Sequence, residues 1–332
     1  MAMKEVLQDI PMEGNRKVVL VGTGFVGMSM AYTLLNHKGI DELVLVDVNT
    51  DKAEGEAMDL SHGLPYAQGK IKVYAGDYND CSDASVIVVT AGAAQKPGQT
   101  RLELTAINTK ITKGIGEEIK KSGFNGVIVV ASNPCDLMTY VMQKATGLPT
   151  HQVLGSGTML DTARLRYQIG EFLEISPASI HAYIMGEHGD SSFVPWTNCY
   201  VGCKMLLEVI EEKKIPLDYL QNIYEQVRDA AYEIIEKKRA TYYGIGMSLA
   251  RLVDAILHNE NTIFPLSCYQ EGEYGQEGFY IGVPAVVNRA GIREVLKLPL
   301  TGVDQEKFDA SCAEMKKNIK EIIDPIFDAD NK

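Results

Sequence analysis

The sequence has little that would mark a secreted, membrane-bound or nucleic-acid-binding protein. Its six cysteines, Cys81, Cys135, Cys199, Cys203, Cys268 and Cys312, follow no zinc-ligand or disulfide spacing. They read as free, buried thiols of a reducing compartment. No apolar run approaches the roughly 20 residues of a membrane-spanning helix, so no membrane partner is expected. Residues 1–17 carry Glu5, Asp9 and Glu13 and lack an apolar signal core. They read as an N-terminal arm or tail, and a cytoplasmic location is expected. Positive charge is also short: 32 Lys and Arg stand against 44 Asp and Glu, for a net charge of −12. Such a surface repels nucleic acid. It still permits an anionic substrate, because one or two buried arginines create a local cationic site. No repeat or low-complexity linker interrupts the 332 residues, so two lobes sharing a tight interface are expected.

What is present is an alternation of short apolar runs with helical patterns. Val18–Val21, Leu43–Val46, Ile71–Tyr74, Val86–Thr90 and Val127–Val130 read as strands. Phe25–His37, Asp51–His62 and Glu103–Lys121 read as the helices between them. Nearly continuous apolar strands alternating with helices predict an α/β fold: a Rossmann-type, doubly wound parallel sheet. After about residue 150 the rhythm changes. Helices are expected at Thr158–Phe172, Pro216–Lys238 and Ile245–Leu257, and an antiparallel hairpin from Thr262–Tyr269 and Phe279–Val287. A final amphipathic helix would bury Phe308, Cys312, Met315, Ile319 and Ile322. The expected division is a dinucleotide-binding domain at 18–155 and a mixed α+β substrate domain at 156–332.

Gly22-Thr23-Gly24-Phe25-Val26-Gly27 follows the first strand and opens the first helix. The first glycine allows the tight turn, the second lets the backbone approach a pyrophosphate, and the third permits close helix–strand packing. The helix N-terminus favours the phosphate charge. Asp47 lies twenty residues past Gly27, at the end of the second strand. A carboxylate there accepts from ribose hydroxyls and repels a 2′-phosphate, which selects NAD over NADP. Thr90-Ala91-Gly92 ends a later strand with small residues against which the cofactor could lie.

Two further segments supply acid–base chemistry: Leu160-Asp161-Thr162-Ala163-Arg164 and Gly186-Glu187-His188-Gly189-Asp190. A histidine braced by an aspartate works as a general acid–base near neutral pH. An arginine three residues after that aspartate can grip a small carboxylate through two parallel hydrogen bonds. No metal is expected.

With Gln95–Arg101, Ser132-Asn133-Pro134 and Gly155-Ser156-Gly157-Thr158, these motifs stand in one order along the chain from about residue 16 onward. The chain resembles the lactate/malate dehydrogenase family, and within it the bacterial L-lactate dehydrogenases. The resemblance implies roles. His188 would donate and accept the proton, and Asp161 would hold its tautomer. Arg164 would bind the substrate carboxylate, and Arg101 would polarise the carbonyl from a loop that closes over the site. Asn133 would contact the substrate oxygen and the nicotinamide region. Thr241 would line the substrate pocket, with Ile245 near the nicotinamide. A homotetramer serving glycolytic fermentation of pyruvate to lactate is also implied.

Gln95 narrows the substrate. Malate dehydrogenases of this type carry arginine there for a second carboxylate, so a neutral glutamine favours pyruvate over oxaloacetate. Lys96 beside it is read as facing solvent. Arg166 and His181 match positions that bind fructose 1,6-bisphosphate between subunits in many bacterial relatives, which implies an allosteric site. Three residues depart from the common pattern: Gln99 for glutamate, Cys135 for valine and Arg239 for glycine. Two alternatives accompany this reading. One is a malate or branched 2-hydroxy-acid dehydrogenase. The other is a non-catalytic dinucleotide-binding or structural protein, which the intact acid–base set opposes.

Overall fold

A nine-stranded sheet runs through the computed structural model, which describes residues 16–37, 39–93 and 100–329, with the side chain of Arg101 excepted. The chain begins β1 (Lys17–Val21), α1 (Phe25–Leu35), β2 (Glu42–Val46), α2 (Thr50–Gly63), β3 (Lys72–Ala75) and β4 (Val86–Val89). It continues α3 (Arg101–Lys121), β5 (Val127–Val130), α4 (Cys135–Thr146) and β6 (Val153–Gly155). These six strands are parallel, in the order β6-β5-β4-β1-β2-β3. Every residue of β1, β4 and β5 is buried, as strands covered on both faces require. The order reverses between β1 and β4, so the crevice beyond their carboxyl ends is the natural ligand site.

Local chemistry sets the helix boundaries. The Asn49 side chain accepts from the Lys52 N–H and starts α2. Thr100 and Glu103 form a reciprocal capping box, so α3 begins at Arg101 rather than at Glu103 as the apolar pattern suggests.

The second half adds α5 (Met159–Leu173), β7 (Ile180–His181), β8 (Tyr200–Val201), β9 (Lys204–Met205), α6 (Leu206–Glu212), α7 (Asp218–Lys238) and α8 (Tyr243–Leu257). Then come β10 (Thr262–Glu271), β11 (Glu277–Asn288), β12 (Gly291–Val295), α9 (Gly302–Asn318) and α10 (Asp324–Ala329). The expected hairpin forms as β10 and β11. It does not stand apart: Ser267 of β10 pairs antiparallel with Gly155 of β6, which extends the parallel sheet by β10, β11 and β12. One sheet therefore carries residues from both halves. A second core, around Leu165, Ile169, Ile184, Leu206 and Ile223, forms beneath the three-stranded sheet β7-β8-β9.

Three details differ from the sequence reading. The final helix passes through a π turn at Ile319–Ile323, with Pro325 following. The wider turn buries Ile323 under Ile319 and leaves Ile322 only half-buried. Five cysteines are buried thiols, but Cys203 is exposed in the turn between β8 and β9. Arg239 ends α7 with φ of 73°, a left-handed conformation that favours glycine. Arg239→Gly is therefore expected to raise the unfolding free energy by about 0.5–1 kcal/mol. A higher urea midpoint at unchanged slope would report it; an unchanged midpoint would show that Arg239 makes compensating contacts. Among the described residues, no helix is long and apolar enough to cross a membrane.

Candidate active site

The glycine loop is held from three sides. Gly22 has φ of 102°, and a Cβ there would lie 2.6 Å from the Ala91 backbone nitrogen. A Cβ on Gly27 would lie 2.2 Å from the Gly22 carbonyl, whereas one on Gly24 would meet nothing within 4 Å. A side chain would thus collide at Gly22 and Gly27, whereas Gly24 faces open space. Gly24 is the N-cap of α1, with no side-chain cap and no acidic residue in the first turn. Its end leaves the dipole and N–H groups open to an anion, with Phe25 exposed and Val26 half-buried beside it.

Asp47 holds the glycine loop. Its Oδ2 accepts from the Thr23 N–H at 2.8 Å and the Thr23 hydroxyl at 2.9 Å, and Oδ1 accepts from the Asn49 N–H at 3.0 Å. Burial pushes this carboxyl up, but those donors outweigh it and hold it below the ordinary range. A carboxylate offers about four acceptor positions, so Asp47 can clamp the glycine loop and still receive a hydroxyl. The Thr90 hydroxyl donates to the Gly22 carbonyl at 2.8 Å, fixing the loop from β4, while Ala91 packs against Gly22 and Gly92 lies beside Asn108. The open Gly24 face, the uncapped helix end and the charged Asp47 fit the pyrophosphate and ribose of a dinucleotide.

Asp161 lies in the first turn of α5 and accepts from two sides. Its Oδ1 receives Arg164 Nη1 at 2.9 Å, and its Oδ2 lies 2.7 Å from His188 Nδ1. Burial pushes the Asp161 carboxyl up, but His188 and Arg164 reverse this and hold it low. Burial alone would lower His188. The Asp161 charge and hydrogen bond, with Asp136 behind them, instead raise it to about 9. His188 is thereby biased by Asp161 toward its imidazolium form. Its side chain is 29% exposed, so one edge reaches the cleft. The Arg164 side chain is 15% exposed, and its hydrogen bond to Asp161 uses one of five donors. The remaining donors suit a bidentate carboxylate.

Three successive N–H groups anchor the histidine segment to three elements. Gly186 donates to the Gly282 carbonyl of β11 at 3.0 Å, Glu187 to the Ser311 hydroxyl of α9 at 2.7 Å, and His188 to Asp136 Oδ2 of α4 at 2.8 Å. Burial pushes Asp136 up to about 6, against the pulls of Ser267 and His188.

Asn133, Thr241 and Ile245 stand at the ends of neighbouring elements. Asn133 is exposed just beyond β5, and its carbonyl accepts from Asn108 Nδ2 at 2.7 Å. Asn108 Oδ1 also accepts from the Ala93 N–H at 2.8 Å, so one buried side chain ties the ends of β4 and β5 together. Thr241 and Ile245 flank the start of α8, both half-buried. A Cβ on Gly246 would lie 2.6 Å from Ser29 of α1, and one on Gly244 would lie 2.9 Å from Leu160. The α8 N-terminus is thus wedged between the glycine-loop helix and the helix bearing Asp161. Phe25 stacks on Tyr242 across that junction at 5.2 Å. Cys135 Sγ accepts from the Gly157 N–H at 3.4 Å, and burial pushes its thiol up to about 12, so it packs and does not react. Gln95 and Gln99 lie outside the described residues, as does the side chain of Arg101.

Away from the crevice, Arg166 Nε donates to the Ala182 carbonyl at 3.0 Å, and its guanidinium lies over the Tyr183 ring. His181, the residue before Ala182, is exposed on β7. Arg166 thus lies against the residues that follow His181.

Asp136, Asn108 and Ser311 escaped the sequence reading. Asp136 and Asn108 stand in helical segments and Ser311 within an amphipathic helix, where each reads as an ordinary polar residue. Only their distant partners reveal them.

A description of the NAD-binding domain of lactate/malate dehydrogenases matches residues 16–155. The alpha/beta C-terminal domain of the same family matches residues 158–325. An L-lactate dehydrogenase of Lactococcus lactis subsp. cremoris is 50% identical over 309 residues, 93% of this chain and 98% of that relative. MGS-M5, a lactate dehydrogenase enzyme from a Medee basin deep-sea metagenome library, has a similar structure, with a TM-score of 0.91 at 49% identity over 93% of this chain and 99% of its own. The minor L-lactate dehydrogenase of Enterococcus mundtii, in its ligands-bound form, gives a TM-score of 0.91 at 46% identity, covering 93% and 99% of the two chains.

Proposed function

The chain belongs to the lactate/malate dehydrogenase family, and on that premise we propose that it is an NAD-dependent L-lactate dehydrogenase with His188 as its acid–base. The observation that carries the mechanism is the paired bonding of Asp161 to His188 Nδ1 and to Arg164. Asp161 fixes the Nδ1–H tautomer, so Nε2 is the nitrogen that exchanges a proton with the substrate oxygen. Arg164 holds the substrate carboxylate from the same helix, which sets the distance between that oxygen and Nε2. NAD, when bound, supplies the hydride acceptor in lactate oxidation and, reduced, the donor in the reverse reaction. Gly24, the α1 N-terminus and Asp47 would hold its pyrophosphate and ribose. In pyruvate reduction the His188 imidazolium gives its proton to the carbonyl oxygen. In lactate oxidation the neutral ring takes the hydroxyl proton. Arg101 would stabilise negative charge developing on that oxygen. Thr241 would bound the pocket, and Asn133 would orient the oxygen.

Following NADH absorbance with pyruvate, oxaloacetate and 2-oxoisocaproate in parallel tests this reading. Pyruvate should be the best substrate by a wide margin. A preference for oxaloacetate or 2-oxoisocaproate would favour the alternatives, and activity with none would favour a non-catalytic protein.

The finer parts of the proposal are a cytoplasmic homotetramer that regenerates NAD in fermentation and an effector site at Arg166 and His181. The bond from Arg166 to the residue after the exposed His181 supports the effector site. Doubled by a two-fold axis, it would bring two arginines and two histidines to the two phosphates of one effector. Fructose 1,6-bisphosphate is expected to shift the pyruvate saturation curve to lower concentration. Superimposable curves with and without it would remove the site from the account.

A further inference from the structure

The inner face of α9 is apolar at Phe308, Cys312 and Met315, and all three are buried. Ser311 interrupts that face and is wholly buried. A serine in a helix interior is a modest helix former, and a buried hydroxyl is costly unless it is bonded. Here both sides of the hydroxyl are used. Its oxygen accepts from the Glu187 N–H at 2.7 Å, and it lies 2.9 Å from Ser191 Oγ. The Ser191 hydroxyl donates to Glu187 Oε2 at 2.8 Å. Since the Ser191 proton is committed there, Ser311 must donate to Ser191. The donors then run in one direction: Ser311 to Ser191, Ser191 to the Glu187 carboxylate, and the Glu187 N–H back to Ser311. Bonds linked head to tail in a buried site reinforce one another. The ring closes on the Gly186–Glu187 peptide, one peptide before His188, and Glu187 is itself buried. Gly186 adds to the clamp: a Cβ there would lie 3.0 Å from Ser311 Oγ.

We propose that Ser311 of the C-terminal helix is a positioning residue for His188, acting through this closed ring with Glu187 and Ser191. It touches no substrate. It fixes the Glu187 peptide, and through it the approach of the His188 ring to Asp161. The proposal rests on His188 being the acid–base of the function proposed above.

The test compares Ser311→Ala, Ser191→Ala and the double variant with the wild-type enzyme, each well below its melting temperature. Ser311→Ala should lower kcat for pyruvate by about tenfold, as a small misplacement of a catalytic group does. NADH affinity and the pyruvate KM should stay near wild type, because Asp47 and Arg164 are untouched. Ser191→Ala leaves the Glu187–Ser311 bond and should lower kcat less, with the double variant close to Ser311→Ala alone. The titration of His188, followed by NMR without substrate, should shift to lower pH as its pairing with Asp161 loosens. Lowered melting temperatures with wild-type kcat and an unchanged His188 midpoint would make the ring purely structural and overturn the proposal. If Ser311→Ala does not fold, Ser191→Ala alone decides by the same readouts. A wild-type enzyme inactive with pyruvate would sink the functional reading instead, while the NMR midpoints would still judge the ring.

Discussion

Replacing Asp161 by asparagine is expected to slow pyruvate reduction by a factor on the order of 10²–10⁴, the range that general acid–base catalysis contributes. Two losses combine. The imidazolium loses the charge that raises His188 to about 9, and its pKa falls toward the ordinary histidine value of about 6.5. Most of the ring is then neutral at pH 7 and has no proton to give. The amide can also present its NH₂ to Nδ1, which favours the wrong tautomer. With its NH₂ toward Nδ1 the amide still turns its oxygen toward Arg164, so the pyruvate KM should change less than kcat. Lowering the pH should restore part of the activity, because the ring can still be protonated. Steady-state kinetics at two pH values would check this. Full activity at neutral pH would show that the Asp161–His188 contact does not serve the reaction.

Gln95→Arg is expected to move the preference from pyruvate toward oxaloacetate by several powers of ten in the ratio of kcat/KM. Pyruvate has one carboxylate, which the proposed role of Arg164 would match. Oxaloacetate brings a second, and leaving that charge buried without a partner costs about 3–5 kcal/mol. An arginine at position 95 would supply the partner and would burden pyruvate with an unpaired cation. The comparison of kcat/KM for both substrates in both proteins measures the effect. If the ratio barely changes, the substrate is selected elsewhere in the pocket.

The nucleotide half was readable because its signals are local. A strand, a glycine turn, a helix and Asp47 follow one another within thirty-one residues, Lys17 to Asp47, and the alternation of strands and helices predicts the parallel sheet. The attachment of β10 to β6 was not readable, because a single paired position joins segments more than a hundred residues apart. The catalytic segment shows the same split. Asp161, Arg164 and His188 announce their chemistry by residue type, and the structure brings them within hydrogen-bond reach. Their supports do not. Asp136 reaches the His188 N–H from 52 residues away, and Ser311 reaches the Glu187 N–H from 124. A buried aspartate on a helix looks like a solvated one until its partner is known. The π turn that substitutes Ile323 for Ile322 is likewise invisible to a regular helical period.

The most direct test of the account is the pH dependence of the reaction in both directions. With His188 raised to about 9, pyruvate reduction uses the protonated ring. Its kcat/KM should hold steady through neutral pH and fall as pH rises through about 9. Lactate oxidation uses the neutral ring, so its kcat/KM should climb over the same interval and level off above it. The two profiles should mirror each other about one midpoint, and that midpoint should drop in Asp161→Asn. Profiles that move in the same direction, or a midpoint indifferent to Asp161, would contradict the assignment of His188 as the group that carries the proton.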